Sequence, residues 1–368
     1  MKFTFHTSLL AFLFTFGHLK LAAQNQETTT VGGYGELHYN EPDGTTKGKL
    51  DFHRFVFYVS HSFNENLSFN SEIELEHTKI EAGEPEGGEI AIEQAYLDWH
   101  FNQHIGLKAG ILLPPIGIIN QIHEPPTFNG VERPNVDRYI IPTTWRESGV
   151  GIYGLCAEGM SYQLYLMAGL KAEGFTAKEG IRGGRQEALE SSPVNPSFTG
   201  RLDYLPIPEL KVGGSFFVGN TTDGDDSLGN GTLSIISGDI QYTPDQFSLR
   251  AVGTFEHLTD AEKINKTFGK DIGEDMYGFY IEGAYNILPL FVPESDHTLN
   301  VFTRYEKYNT QAKVSGITAN LVNDRDEITV GATYKPTYNT AFKIDYQFFN
   351  NAADVDTKQL NFGVGYNF

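Results

Sequence analysis

Three glutamates occupy alternate positions in the stretch LSFNSEIELEH, residues 67–77: Glu72, Glu74 and Glu76. In a β-strand, successive side chains point to opposite faces, so the three carboxylates would lie together on one face. The other face would carry Leu67, Phe69, Ile73 and Leu75. Stacked carboxylates need water or cationic partners, so the stretch raises the question of which solvent each face meets.

Charged residues recur on the polar faces of other alternating stretches. Together with the three glutamates and Asp98, the predicted lining of a polar passage comprises Arg54, Lys108, Arg201, Arg250, Arg304 and Lys343. Opposed acidic and basic walls create a field across a passage, which favours polar and zwitterionic solutes. The alternative is that these charges only hydrate the polar faces and pair with one another.

Catalytic and metal-binding patterns are not found in the sequence. No distinctive local motif surrounds His53, His61 or His77. The sequence contains no glycine-rich loop that could bind phosphate, and no set of residues with the spacing of metal ligands. We therefore predict no enzymatic activity, no catalytic residue, no metal site and no cofactor.

The elements that carry these residues follow one pattern from Gly33 to Phe368. About 16 stretches alternate apolar and polar residues, and short turns alternate with longer polar loops. This pattern is typical of a transmembrane barrel, in which apolar residues face lipid and polar residues face the interior. The predicted fold class is all-β, an antiparallel transmembrane β-barrel of about 16 strands. The alternative is a soluble exported β-protein, which would hide the apolar faces in a core.

The N-terminal segment has the features of a secretory signal peptide. Lys2, a short apolar run over residues 9–16 and the small pair Ala22 and Ala23 predict a signal at 1–23, cleaved near Ala23. An uncleaved membrane anchor is the alternative. Residues 24–368 are then predicted to form a single barrel in the bacterial outer membrane, in contact with its lipid.

The longest predicted connection, residues 112–147, is rich in proline and too apolar for a freely solvated loop. A barrel of about 16 strands leaves an aqueous channel unless something fills it. We predict that this segment is the constriction loop, packed on the inner wall and carrying Arg133, Arg138 and Arg146. An outer lid or a subunit-contact loop is the alternative.

Composition narrows the function classes further. The formal net charge of -20 disfavours nucleic acid as a partner. A single cysteine, Cys156, excludes an internal disulfide framework.

Several stretches carry a family resemblance. GGYGELHYN, FHRFVFYVSHSFNENLSFNSEIELEH, EQAYLDW and the run from Gly106 to Ile152 resemble the first third of bacterial phosphate-selective porins of the O and P type. The C-terminal NFGVGYNF is similar to the closing strand of outer-membrane barrels. The resemblance implies a homotrimer of 16-stranded channels with the third outer loop folded into the lumen. Phosphate-selective members have a ladder of lumenal arginines, whereas basic residues here are few and matched by carboxylates.

The sequence thus predicts an outer-membrane porin, a passive diffusion channel for small polar solutes or ions, with phosphate or other anions among the candidates. The alternative function is an outer-membrane barrel with a surface, adhesion or structural role and a lumen sealed by loops. The preference for anions or cations stays open at this point.

Overall fold

The computed structural model describes residues 27–44, 47–77 and 88–368. The predicted signal peptide lies outside the described residues. Across those three ranges, no helix is both long enough and apolar enough to cross a membrane.

Sixteen strands within the described residues form one closed antiparallel barrel. Each strand pairs with its neighbours in the chain, and β1 pairs with β16 from Tyr34 opposite Asn367 to Pro42 opposite Gln359. The all-β barrel predicted from alternation is confirmed. The strands are β1 Thr28–Pro42, β2 Lys49–Ser62, β3 Leu67–Glu76, β4 Glu89–Asn102, β5 Ile105–Leu112, β6 Glu147–Ala157, β7 Met160–Ala168, β8 Pro196–Ile207, β9 Leu210–Asn220, β10 Thr232–Tyr242, β11 Phe247–Leu258, β12 Asp275–Asn286, β13 Thr298–Lys313, β14 Asp324–Thr337, β15 Thr340–Asn351 and β16 Thr357–Asn367.

The connections divide into two ends. The end that includes the links 103–104, 158–159 and 338–339 is called the turn end, and the opposite end is called the loop end. The loop end carries the segment 113–146, with helix α1 at Val136–Tyr139, and the connection 169–195. Helix α2, Ala261–Phe268, lies in the loop-end connection between β11 and β12. At the turn end, the β12–β13 connection is lengthened by a 3-10 turn at Leu288–Leu290.

The barrel wall is polar on its buried inner face and apolar on its exposed outer face, the reverse of the arrangement in a soluble protein. On β12, Tyr280 and Glu282 are buried, whereas Phe279 and Ile281 are 42% and 48% exposed. The same alternation runs along β8 to β16. Apolar side chains on the outside of a closed barrel match a hydrocarbon solvent, and closure leaves no unpaired strand edge in it.

Glu93 on β4 departs from simple alternation. Strict alternation places Glu93 on the same apolar face as Ala95, where it is the clearest charged residue. The structure corrects this assignment, because the β3–β4 register shifts between Glu72 and Ile73 and gives β4 an extra residue. A bulge of this kind re-aims a side chain. Glu93 is fully buried and contacts His123.

An apolar cluster joins the loop-end connections to the buried faces of β9 to β13. Trp145 packs on Phe217, with ring centroids 4.8 Å apart, and Tyr139 stacks on Tyr308 at 5.4 Å. The segment 113–146 supplies Ile116, Ile118, Ile119, Phe128, Val136, Ile140 and Ile141, and the connection 169–195 supplies Leu170, Ala172, Phe175 and Ile181. This cluster explains why the long segment is apolar.

Ile281 lies in the middle of β12 on the exposed apolar face, and it provides a test of the membrane assignment. We expect Ile281→Lys to lower the free energy of unfolding from lipid vesicles by about 2–4 kcal/mol, the cost of a lysine on the lipid face near the bilayer midplane. Denaturant titration in vesicles measures the change. The matched control is Tyr338→Lys, at the 86% exposed tip of a turn-end link. An equal effect of both substitutions would contradict the assignment.

Candidate functional site

Buried carboxylates on β12 to β15 hold the segment 113–146 through its backbone. Asp345 accepts a hydrogen bond from the Val131 amide at 2.6 Å, and Glu306 accepts one from the Val136 amide at 3.0 Å. Further contacts join Asn129 to Glu282 and Asn135 to Glu327. These carboxylates belong to the polar face of the wall, so the charges that alternation revealed hold the segment in place.

Basic side chains from other strands donate to carbonyl oxygens of the same segment. Arg201 on β8 donates to Gly117 at 2.9 Å, and Arg250 on β11 donates to Thr127 at 2.8 Å. Arg201 also forms two-point contacts with Asp203 and Asp239. Its guanidinium passes over Gly213, where a Cβ atom would lie 2.0 Å from Nη2. A side chain at this position would obstruct the fork between the two aspartates.

Arg54 on β2 is fully engaged by acidic partners. It pairs with Glu36 at 2.5 Å and with Glu74 at 3.6 Å, and its guanidinium lies 5.0 Å from the centre of the Tyr34 ring. It also donates to the carbonyl of His123. Of the three stacked glutamates, Glu74 therefore has a cationic partner on the neighbouring strand, which it shares with Glu36.

Glu72 and the re-aimed Glu93 converge on His123 of the long segment. His123 Nε2 lies 3.3 Å from Glu93 Oε2 and 3.6 Å from Glu72 Oε1. Gln94 donates to the other oxygen of Glu72 at 2.6 Å. Burial alone would lower the pKa of His123, but the two carboxylates raise it to about 9. The imidazole therefore carries a proton at neutral pH when nothing else occupies the site.

Two cavities flank this group. The loop-end cavity has a volume of about 610 Å³, and Glu74, Glu76, Arg133, Arg138 and Arg146 contribute to its lining. The turn-end cavity has a volume of about 640 Å³, and its lining includes Gln94, Tyr96, Lys108, Gln121 and Tyr153. Glu74 faces the first cavity and Gln94 the second, so Glu72, Glu93 and His123 lie at the partition between them.

The structure places the predicted site residues in three settings. Arg54, Glu72, Glu74, Arg201, Arg304 and Lys343 are buried in the network that holds the long segment. Lys108 lies between the rings of Tyr96 and Tyr153, at 4.9 and 5.0 Å from their centres, and Asp98 accepts from Tyr153 at 2.6 Å. Arg250 holds the segment backbone, while Glu76, Arg133, Arg138 and Arg146 line the loop-end cavity.

Sequence reasoning missed two arginines of the loop-end cavity, Arg182 and Arg185. Both lie in the connection 169–195, whose sequence has no strand alternation to indicate where it folds. Arg185 pairs with Glu187 at 2.9 Å, whereas Arg182 donates to the Thr143 carbonyl. Among the described residues, no carboxylate lies within 4.0 Å of a guanidinium nitrogen of Arg133 or Arg182. The clustered glycines and arginines of IRGGR, residues 181–185, were the available signal.

Asp137 at the start of α1 is fully buried, and neither carboxyl oxygen has a hydrogen-bond partner. Burial and the nearby Glu306 raise the pKa of Asp137 to about 8, so the carboxyl is protonated at neutral pH. The ordinary value is 3.8. A group that binds its proton more tightly when folded stabilises the fold less as the pH rises between these two values.

We therefore expect Asp137→Asn, which mimics the protonated form, to match the wild type below about pH 4 and to become increasingly the more stable protein as the pH rises to about 8. Chemical denaturation across this range, monitored by tryptophan fluorescence, measures the difference. Asp296→Asn, at an exposed turn-end position, is the control and should show no growing advantage. A constant difference between D137N and the wild type at all pH values would contradict the assignment.

Solved structures with the same architecture define the class of fold. The outer-membrane channel DcaP of Acinetobacter baumannii matches with a TM-score of 0.61 at 12% identity, over 93% of this chain and 97% of that one. Salmonella typhi OmpF matches with a TM-score of 0.59 at 13% identity, over 93% and 98%. The trimer form of Vibrio cholerae OmpT matches with a TM-score of 0.58 at 10% identity, over 93% and 99%. The chain thus has the 16-stranded barrel fold of outer-membrane porins.

A closer relative is found by sequence. An uncharacterized protein of Aquifex aeolicus (strain VF5) is 40% identical over 336 residues, covering 88% of this chain and 76% of that protein. The chain belongs to the same family as the Aquifex protein. No protein-family model matches the chain, so the phosphate-selective O and P family is not established.

Proposed function

We propose that this protein is an outer-membrane porin, a passive diffusion channel for small polar solutes or ions. The observation that carries the proposal is the pair of polar cavities, of about 610 and 640 Å³, one open toward each end of the barrel. A barrel of this strand number is too wide for wall side chains alone to fill. The fold shared with outer-membrane porins supports the same location in the cell.

The segment 112–147 acts as the constriction. Its contacts with the polar faces of β8 and β11 to β15 support a position inside the lumen. A loop held from several sides narrows the passage and sets the size of solute that crosses it. The proposed pore-lining residues remain those predicted from alternation, with the loop arginines Arg133, Arg138 and Arg146 at the narrowing.

The lining of the loop-end cavity carries charges of both signs. Its basic residues are Arg133, Arg138, Arg146, Arg182 and Arg185, and its acidic residues include Glu36, Glu74, Glu76 and Glu132. Burial lowers the pKa of Arg182, and the positive charges of Arg185, Arg138 and Arg133 lower it further. The cavity therefore holds positive charge that nearby carboxylates do not balance. Guanidinium groups bind phosphate and carboxylate at two points. Phosphate or another small anion is the solute that the arginines of this cavity would bind best.

The assembly follows from the same comparison. A homotrimer embedded in outer-membrane lipid is supported by the trimer form of Vibrio cholerae OmpT, whose fold the chain shares. The proposal includes no nucleic-acid partner and no enzymatic activity.

One observation favours a second candidate, a barrel with a sealed lumen and a structural or adhesive role. The apolar cluster fills part of the interior, and the buried group around His123 separates the two cavities. Planar-bilayer recording decides between the two candidates. Stepwise conductance in groups of three supports the porin, and absence of conductance supports the sealed barrel.

Deleting residues 115–142 tests the role of the constriction segment. We expect the single-channel conductance to rise and the ratio of anion to cation permeability to approach one, because the deletion opens the narrowing and removes Arg133 and Arg138. The conductance and the reversal potential in a salt gradient measure both effects. The control deletion removes residues 315–319 from another loop-end connection and should leave the conductance and the reversal potential unchanged. An unchanged pore in the first deletion would contradict the proposed constriction.

Arg182, which has no carboxylate within 4.0 Å in the described part of the chain, gives a sharper test of selectivity. We expect Arg182→Gln to reduce anion permeability relative to cation permeability about two- to fivefold at low salt, because electrostatic focusing at the cavity weakens. Added phosphate should inhibit chloride current less in R182Q than in the wild type. Lys266→Gln on α2, an exposed lysine paired with Glu262, is the matched charge control. Equal selectivity in R182Q and K266Q would exclude an anion site at Arg182.

A further inference from the structure

We propose that Glu72, Glu93 and His123 form a binding site for a divalent transition-metal ion, which clamps the long segment to the barrel wall. The three side chains come from β3, from β4 and from the segment 113–146, and all three are buried. One donor atom from each lies within 4.8 Å of the other two. The site is separate from the arginine cavity, and it goes beyond the proposed channel function.

The spacing of the donor atoms fits coordination. Imidazole nitrogen and carboxylate oxygen bind Zn²⁺ at about 2.1 Å, so the edge of a tetrahedral site is about 3.4 Å. His123 Nε2 lies 3.3 Å from Glu93 Oε2 and 3.6 Å from Glu72 Oε1. Small movements of the two carboxylates therefore place an ion between all three atoms. Mixed nitrogen and oxygen donors suit first-row transition metals better than Ca²⁺ or Mg²⁺.

The outer contacts orient the donors as those of a metal site do. His123 Nδ1 lies 3.1 Å from the Asn120 carbonyl oxygen, which can only accept, so Nδ1 carries a hydrogen and Nε2 faces the carboxylates. Metal-binding histidines are usually held in this way. Gln94 donates to the Glu72 oxygen that points away from His123, at 2.6 Å. Both the tautomer and the carboxylate rotamer are thus fixed from outside the site.

Charge and hydrogen bonding leave the group incomplete without a cation. Glu93 is fully enclosed, and its Oε1 accepts no hydrogen bond from a fixed donor, while the carboxyl group of Glu74 lies beside it. The nearby Arg54 is shared between Glu36 and Glu74 and makes no ion pair with Glu93 within 4.0 Å. The three donor side chains sum to one negative charge when the imidazole is protonated, whereas a divalent ion with neutral imidazole makes them neutral. The other charged groups that act on Glu93 are Glu74, Arg54 and Arg133. Neutrality is the better state for a buried group.

The β4 bulge is the backbone feature that builds the site. Without the extra residue, Glu93 would point to the apolar outer face, and Glu72 and His123 would form a simple ion pair. Bulges are frequent beside functional sites because they redirect one side chain. A bound ion would connect two wall strands to the middle of the long segment.

Zinc binding to the purified full-length protein in detergent tests the proposal without any current measurement. We expect titration calorimetry to show a Zn²⁺ site of micromolar or better affinity, weakened at least tenfold in both His123→Gln and Glu93→Gln. The control is His77→Gln, which disrupts one of two further histidine–carboxylate groups near the loop end, the one formed with Asp51 and His53; the second consists of His257, Glu274 and Asp275. The H77Q protein should keep the high-affinity site. Circular dichroism verifies that each variant is folded.

A second measurement needs no substitution in the site itself. Co²⁺ added to H77Q should give visible absorption bands that one equivalent of Zn²⁺ abolishes and that persist when His257→Gln is added to disrupt the remaining group with Glu274 and Asp275. Absence of Zn²⁺ binding to the wild type, undiminished binding in H123Q and E93Q, or absence of a displaceable Co²⁺ spectrum in H77Q would each overturn the proposal. In that case a proton on His123 is the resident cation. These outcomes do not depend on conductance, so failure of the channel proposal would be recognised separately.

Discussion

The pairing of β1 with β16 is the constraint on which the rest of the structure depends. Hydrocarbon offers no hydrogen bonds, so a sheet exposed to it must have no free edge. Once the sheet is closed, its side chains are divided between an outer apolar solvent and an enclosed interior. Polar residues then have to be accommodated inside, where they would be costly without water or partners. The interior network of ion pairs and backbone contacts is the consequence of closure.

That network serves two purposes at once. Arg201, Arg304 and Arg54 each hold two carboxylates, and several of these same residues also bind the segment 113–146. Charges aligned on the wall thereby become the attachment points of the long segment. The charge distribution of the interior and the position of the segment are coupled, since the same side chains determine both.

The sequence predicted the architecture because a strand in a barrel repeats one rule every two residues. Alternation located the strands and the wall residues such as Arg201 and Arg304, and proline with isoleucine identified the segment 112–147. The same rule failed at Glu93, because a bulge adds one residue and reverses the faces beyond it. Alternation could not predict the positions of Arg182 and His123, because both lie in loops that pack by long-range contacts. The partners of Glu72 could not be predicted, because Glu93 and His123 are brought to it by these two effects.

The apolar cluster inside the barrel has a thermodynamic consequence of its own. Its isoleucines and Trp145 are held together by exclusion of water, whereas the exposed apolar outer face suits a hydrocarbon solvent. Hydrophobic association in water weakens on cooling, and urea weakens it as well. We therefore expect cold or denaturant to loosen the packing of the long segment before it separates the paired strands. The protein is, in this sense, a small water-soluble core enclosed in a membrane protein.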